Sequence, residues 1–258
     1  MNVLAVDIME RFYTFLWPML RISALMLAAP ILSQHAFNLR MRILLALALT
    51  WMIYPLHKWP LIDPTSAQGL VEVFNQLMIG AMMGLILQIV VAAVVLAGQS
   101  IATAMGLSMA NMLDPNMGSV PVISQFLTVL STLIFVGFGG HAILLGLIAD
   151  SFHNLPIGQS VLNQELYGRV LRWSSMMFLG SLLMALPVMI SLLFINVGLG
   201  VVTRAAPSLN IFAVGFPAMT LGGFLILIIS MQSIGGRIEW LWMQGFSVLR
   251  DVMGMAHV

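Results

Sequence analysis

Few side chains in this sequence are placed to do chemistry. Ser108 stands in the run Gly106-Leu107-Ser108-Met109-Ala110, near the Gly-x-Ser-Gly turn that presents a serine nucleophile. His141, in apolar surroundings, is the histidine positioned to act as its base. Ala110 takes the place of the second glycine and no third polar group joins the pair, so the constellation of an intramembrane serine protease is incomplete. His141 alone is a functional candidate, because a polar residue in an apolar span is costly. A lone histidine more often makes a hydrogen bond within the packing. The five histidines, His35, His57, His141, His153 and His257, include no H-E-x-x-H pair and no carboxylate at ligand spacing on a shared helix, so metal chemistry lacks ligands. Cysteine is absent, which excludes disulfides, thiolate metal sites and cysteine nucleophiles. The one lysine, Lys58, belongs to no Gly-Lys-Ser/Thr phosphate cradle. Any energy input must therefore come from a partner or an ion gradient. The chain reads as non-catalytic and without a cofactor.

Charge inside the apolar segments is equally sparse. Arg21 is the clearest intramembrane charge, and Asp114 and Asp150 stand at segment ends. Arg21 is expected to pair with Asp114 or with a neighbouring subunit, or else to snorkel to the interface. No relay of acids suited to a proton-coupled transporter is visible. The most unusual stretch is Gly98-to-Pro121, GQSIATAMGLSMANMLDPNMGSVP. It follows an apolar run from Val73 in which no formal charge appears before Asp114. It is built from Gly, Ser, Asn, Thr and methionine, and irregular backbone at membrane depth is tolerated only where it is buried in protein or lines a cavity. The stretch is therefore expected to line or plug something. Met105, Met109, Met112 and Met117 are flexible and polarizable enough to act as a compliant gasket, although most of the 22 methionines are expected simply to fill gaps in the core. Gly98, Gly106 and Gly118 supply freedom, and Asp114-Pro115 marks a turn.

These residues must be held by membrane helices. Of 258 residues, 60% are hydrophobic and only 7% charged, against about 25% charged in soluble domains. The net charge of +1 provides no footprint for nucleic acid. Six hydrophobic segments are expected, at residues 12–32, 41–56, 73–97, 122–149, 173–197 and 211–232. Trp51, Tyr54 and Trp59 mark one interfacial edge, as do Trp173 and the pair Trp240 and Trp242. Pro18, Pro30, Pro187 and Pro217 interrupt the segments and are expected to kink or break them. The first segment is expected to be retained rather than cleaved, because Asp7 and Glu10 precede Arg11. If all six cross, Arg11, Lys58, Arg169, Arg172, Arg237 and Arg250 fall on one side against Arg40, Arg42 and Arg204, which puts both termini in the cytoplasm. Gly80-x-x-x-Gly84 permits close helix approach. After Gly236, Ile238, Leu241, Trp242, Gly245, Leu249 and Val252 share one helical face, as in a helix lying on a membrane surface or docking a partner.

Two stretches carry a family resemblance. GQSIATAMGLSMANMLDPNMGSVPVISQFL, from Gly98, and RAAPSLNIFAVGFP, from Arg204, resemble the flagellar biosynthesis protein family FliR, the R subunit of the type III protein-export gate. Length and the six segments agree over essentially the whole chain. The resemblance implies an all-α membrane protein with kinked and broken helices, packed with other subunits in a helical export gate. It implies one integral membrane unit with a P-like part over residues 1–172, a Q-like helical hairpin over 173–236 and an amphipathic tail over 237–258. It also implies that the helices need not cross the bilayer as hydropathy alone suggests. Residues 106–121 match the family's plug loop, so Met105, Gly106, Met109, Asn111, Met112, Leu113, Asp114, Pro115, Met117 and Gly118 become candidates for closing the channel. The second motif matches the hairpin turn and its partner contacts: Arg204, Pro207, Asn210, Phe212, Gly215 and Pro217. Arg204 would meet a carboxylate or carbonyl oxygens or remain a solvated loop residue.

The implied role is a pore subunit that passes unfolded flagellar proteins across the bacterial inner membrane in the flagellar basal body. The implied partners are the P and Q subunits, the B subunit, the export ATPase apparatus, the unfolded substrates and membrane lipid, with no nucleic acid. The competing readings are a conventional secondary transporter of a small solute and the intramembrane protease.

Overall fold

The described parts of all six hydrophobic segments are mainly helical in the computed structural model, which describes residues 2–30, 38–107, 122–159, 164–206 and 211–254. The helices are α1 (Asn2–Ala28), α2 (Leu39–Ile53), α3 (Ala67–Ala104), α4 (Val122–Gly137), α5 (Gly140–Asn154), α6 (Gln164–Ser174), α7 (Met176–Ala205) and α8 (Ile211–Val252). A 3-10 turn, Tyr54–Leu56, continues α2. The described residues form an all-α membrane protein without strands among them. Among the described residues, four helical stretches are long and apolar enough to cross a membrane: Leu39–Leu56, Ala67–Ala104, Glu165–Ala205 and Val214–Val252. The pair α4 and α5 makes a fifth if its two pieces count as one span.

Local chemistry explains most boundaries. α1 stops at Ala28 because Ala29 precedes Pro30, and the residue before proline is pushed out of the helical region; Ala206 before Pro207 ends α7 in the same way. Ser66 caps α3, its Oγ accepting the Gly69 N–H at 3.0 Å. Just before that cap, Asp63 Oδ1 accepts the Thr65 N–H at 2.9 Å and the Thr65 hydroxyl at 2.8 Å. These two bonds hold the Asp63 carboxyl below the usual carboxylate range. The fourth segment, expected to run unbroken over 122–149, is split. Gly139 adopts φ +76°, a left-handed conformation that glycine takes without a Cβ penalty, and its carbonyl restarts the helix by accepting from Ala142 at 2.9 Å.

The prolines inside helices do not end them: α1 runs through Pro18, α7 through Pro187 and α8 through Pro217. The sixth segment and the tail form one 42-residue helix. Ile238, Leu241, Trp242, Leu249 and Val252 are buried, so the apolar face of the tail packs inside the protein and does not lie on a membrane surface.

Hydroxyl groups within the helices bond their own backbone. Thr50, Ser100, Thr103, Thr128, Thr132, Ser191 and Thr220 each donate to the carbonyl four residues earlier. Where no water competes, the polarity of these side chains is absorbed by the helix that carries them.

The chain divides into two compact units, Met1–Ile89 with Gly139–Ser174 and Gln244–Val258, and Val90–Phe138 with Ser175–Met243. In the first, Trp17, Ile22 and Leu25 of α1 and Ile79, Met83 and Ile86 of α3 are buried. A Cβ on Gly80 would strike the Arg21 carbonyl oxygen, and one on Gly84 would strike the Ala28 Cβ. The two helices meet at backbone distance there. Trp173 of α6 donates its indole N–H to the Ile86 carbonyl at 3.0 Å. In the second unit, α4 lies against α3 where a Cβ on Gly98 would collide with the Ser124 backbone, and Ser124 Oγ donates to the Val95 carbonyl at 3.0 Å. Trp242 donates to Ser131 Oγ at 2.9 Å, with its ring 4.7 Å from that of Phe135. The most apolar window of Ala67–Ala104 is 67% buried, against 33% for Glu165–Ala205 and 22% for Val214–Val252. α3 is thus an interior helix, whereas α7 and α8 present apolar side chains such as Phe194 and Ile229 outward.

Arg21 neither snorkels nor waits for a partner chain. It is 1% exposed, and Asp114 lies outside the described residues. Its Nε donates to Gln76 Oε1 at 2.7 Å. Nη1 donates to the Ser151 carbonyl at 2.8 Å and to Ser151 Oγ at 3.1 Å, and Nη2 to the Leu155 carbonyl at 2.8 Å. Its guanidinium carbon lies 4.3 Å from the centre of the Phe152 ring. Gln76 in turn donates to Glu72, as does Asn75, so the buried arginine is linked through an amide to a buried carboxylate. The carbonyls of Ser151 and Leu155 belong to the C-terminal end of α5, where the dipole is negative; the Ser151 carbonyl also accepts the Leu155 N–H at 3.0 Å. Arg21 thereby ties α1, α3 and α5 together. Removing one member of a buried charged network costs about 3–5 kcal/mol. Arg21→Ala is expected to destabilise the protein by about 3 kcal/mol in detergent, measured by thermal or denaturant unfolding. Arg21→Lys is expected to recover only part, because an ammonium lacks the planar fork that reaches acceptors on three residues. An alanine variant as stable as the parent would remove this network from the account.

Candidate functional site

The glycine- and methionine-rich stretch enters the structure through the end of α3. Its first part is not irregular, as its composition led us to expect, but helical to Ala104. The small and polar residues there serve the helix. Gly98 permits the approach of α4, and Ser100 and Thr103 bond back to Leu96 and Gln99 at 2.9 and 2.8 Å. The helix stops at Met105-Gly106. Gly106 has φ +79° and its N–H closes a tight last turn on the Thr103 carbonyl at 3.0 Å, as a glycine just past a helix end commonly does.

Met105 turns inward and is 0% exposed. It fills a notch in α8 that exists because residue 223 is glycine: a Cβ there would lie 2.6 Å from Met105 Cγ and 2.7 Å from its Cε. Beside it opens a cavity of about 390 Å³. Thr103, Met105 and Gly106 form one wall, Asn196, Leu199 and Gly200 of α7 a second, and Gly215, Phe216 and Met219 of α8 a third. No titratable side chain is among these described lining residues. The cavity offers glycine backbone, two methionines and an aromatic ring, a set that yields to a variable apolar surface.

The structure thus brings Met105 and Gly106, from the first motif, to one cavity with Gly215, from the second. Arg204 and Pro217 are exposed and do not line it. Gly80 and Gly84 belong to the first unit, against α1. Met109, Asn111, Met112, Leu113, Asp114, Pro115, Met117, Gly118, Pro207 and Asn210 lie outside the described residues, as does the side chain of Phe212. Ser108 is also outside them, and His141 is exposed in the first turn of α5. No cluster able to hold a metal ion is found among the described residues.

Asn196, Phe216, Met219 and Gly223 escaped the sequence reading. Asn196 carried a signal, being the only side-chain amide in α7; the others look like ordinary membrane-helix residues. Glu72 and Gln76 also escaped it, although a carboxylate and an amide spaced i, i+4 just ahead of a long uncharged run share one helical face.

Residues 12–245 match the family described as bacterial export proteins, family 1. Among named relatives, the flagellar biosynthetic protein FliR of Escherichia coli (strain K12) is 35% identical over 240 residues, covering 93% of this chain and 92% of its own. The protein of the same name from Pectobacterium carotovorum is 35% identical over 243 residues, with 93% and 92% covered. That from Bacillus subtilis (strain 168) is 29% identical over 256 residues, with 98% and 99% covered.

The left-handed turn at the cavity rim leads to a paired prediction. Gly106→Val is expected to lower stability by about 1–2 kcal/mol, the cost of forcing a β-branched residue to positive φ. Gly146→Ala, on the open face of α5 where nothing lies within 4 Å, is expected to be neutral or stabilising by up to about 1 kcal/mol. Thermal unfolding of the two variants side by side measures the difference.

Proposed function

The chain belongs to family 1 of the bacterial export proteins, and on that premise we propose that it is the R subunit of a flagellar type III protein-export gate. It passes unfolded flagellar proteins across the bacterial inner membrane in the flagellar basal body. The observation that carries this reading is the family match over residues 12–245, joined to relatives named FliR that align along nearly their full length. The role is non-catalytic. P and Q subunits complete the channel, the B subunit attends it, and an export ATPase apparatus and the proton-motive force supply the energy.

Residues 1–172 act as the P-like part, 173–236 as the Q-like hairpin and 237–258 as the tail. Helix length supports a gate that reaches beyond the hydrocarbon layer. α3 has 38 residues and α8 has 42, so at 1.5 Å per residue they are roughly 57 and 63 Å long, against a hydrocarbon core of about 30 Å. Residues 106–121 form the plug that closes the resting channel. Met105, Met109, Met112 and Met117 seal it, Gly106 and Gly118 let it move, and Asn111, Leu113, Asp114 and Pro115 shape its turn. The conjunction of Met105, Gly106 and Gly215 at one cavity supports a connection between the root of the plug and the start of α8. Arg204, Pro207, Asn210, Phe212 and Pro217 form the hairpin turn and its contacts with neighbouring subunits.

Deleting residues 106–121 from the assembled complex is expected to raise ion conductance across reconstituted membranes at rest. Conductance equal to that of the parent complex, with assembly intact, would remove the plug assignment. The purified chain alone in liposomes is expected to transport no small solute, and solute uptake by it would favour a conventional transporter.

A further inference from the structure

The first unit holds a second cavity, of about 530 Å³, where the chain leaving α2 meets the last turn of α5. Its walls are fixed by aromatic packing. Trp59 donates its indole N–H to the Tyr54 carbonyl at 2.8 Å, and the two rings stack at 6.1 Å and 14°. The Tyr54 hydroxyl is 2.8 Å from Thr14 Oγ1. Phe152 meets Trp59 edge-on at 5.1 Å, and Arg21 holds the same Phe152 ring. The polar side chains lining this rigid frame are all nitrogen bases: His57, Lys58 and His153.

None of the lining residues is an acid. Lys58 is exposed and makes no hydrogen bond or ion pair among the described residues. The Nδ1 atom of His57 is buried and has no hydrogen-bond partner among them. Of the nearby carboxylates, Asp63 is engaged by Thr65, and Asp150 is exposed on α5 outside the lining. Apolar side chains stand unburied on the same stretch of chain, with Trp51 77% and Leu56 66% exposed. Tyr54, Trp51 and Trp59 together form an aromatic cluster of the kind that settles at headgroup level.

We propose that this cavity binds the anionic headgroup of a membrane phospholipid. The phosphate is held by Lys58, His57 and His153, and the acyl chains lie along Trp51 and Leu56. Lysine near an anionic leaflet favours such lipids electrostatically, and Trp59 offers an amphipathic ring to the interface. The exposed apolar shoulder and a volume of about 530 Å³ suit a lipid better than a free inorganic anion.

Native mass spectrometry of the delipidated full chain, titrated with phosphatidylglycerol and phosphatidylcholine of matched acyl chains, tests this. The parent protein is expected to retain phosphatidylglycerol several-fold more strongly. Lys58→Gln with His153→Gln, both exposed positions, is expected to reduce that preference to the phosphatidylcholine level. Lys58→Arg is expected to keep it, and Arg40→Gln, an exposed charge elsewhere, to leave it unchanged. An unaltered preference in the double variant, or an equal loss in Arg40→Gln, overturns the site. Displacement of phosphatidylglycerol by soluble glycerol phosphate at matched concentration overturns the lipid as occupant and assigns the cavity to a free phosphate ester.

Discussion

A polar group enclosed by apolar helices has no water to fall back on and is costly unless protein satisfies it, and much of the arrangement of this chain follows from how that is done. The hydroxyls use the simplest route and bond the preceding turn of their own helix. The indoles of Trp173 and Trp242 each reach across to another helix. Arg21 is the extreme case: a permanent cation with 1% of its surface exposed. Its acceptors come from a side chain of α3 and from the end of α5. The Leu155 carbonyl is available because α5 ends there, whereas the Ser151 carbonyl also accepts the Leu155 N–H and offers Arg21 its second lone pair. The position of the α5 terminus is therefore as much a part of the arginine site as any side chain.

Small residues do the complementary work. Gly80, Gly84 and Gly98 remove side chains from α3 where α1 and α4 approach, and Gly223 removes one from α8 where Met105 enters. Without water exclusion to drive helices together in lipid, close backbone contact and the dispersion it allows become the main attraction. This accounts for a helix as apolar as α3 carrying so many glycines and polar residues yet being the best buried of the candidate spans. It also corrects the compositional reading of residues 98–104: glycine and hydroxyl residues at membrane depth marked a packed helix there, and only at Gly106 a turn.

Much of the architecture could be read from the sequence. The described parts of the six apolar segments are mainly helical, and the residues assigned to one face of the tail are buried ones. The boundary of α1 follows from Pro30, and that of α7 from Pro207. What escaped the reading depends on which elements meet. The i, i+4 glycines share a face by spacing alone, but nothing in that spacing names α1 as the neighbour. The break at Gly139 requires a choice between helix and left-handed turn that a Gly-Phe-Gly-Gly string leaves open. The tail's apolar stripe fits a membrane-surface helix and a docking helix equally, because such a stripe looks the same whether lipid or protein covers it. The cavity combines residues from three helices, and beyond the lone amide of Asn196 its lining has no chemical signature, since Phe216 and Met219 are individually unremarkable in a membrane helix. The backbone acceptors of Arg21 have no sequence signature at all.

The reach of the arginine network has a consequence for how the protein is made. Gln76 lies 55 residues after Arg21, Ser151 lies 130 after it and Leu155 lies 134 after it. At roughly 5–20 residues per second of synthesis, α1 waits on the order of ten seconds before α5 exists to receive its charge. An arginine at the centre of an isolated helix costs about 2.5–3.5 kcal/mol on insertion. The nascent first helix is thus a poor candidate for early, independent entry into lipid. Its final seating is timed by the completion of α3 and α5, and a chain truncated before Ser151 would leave it without its anchor.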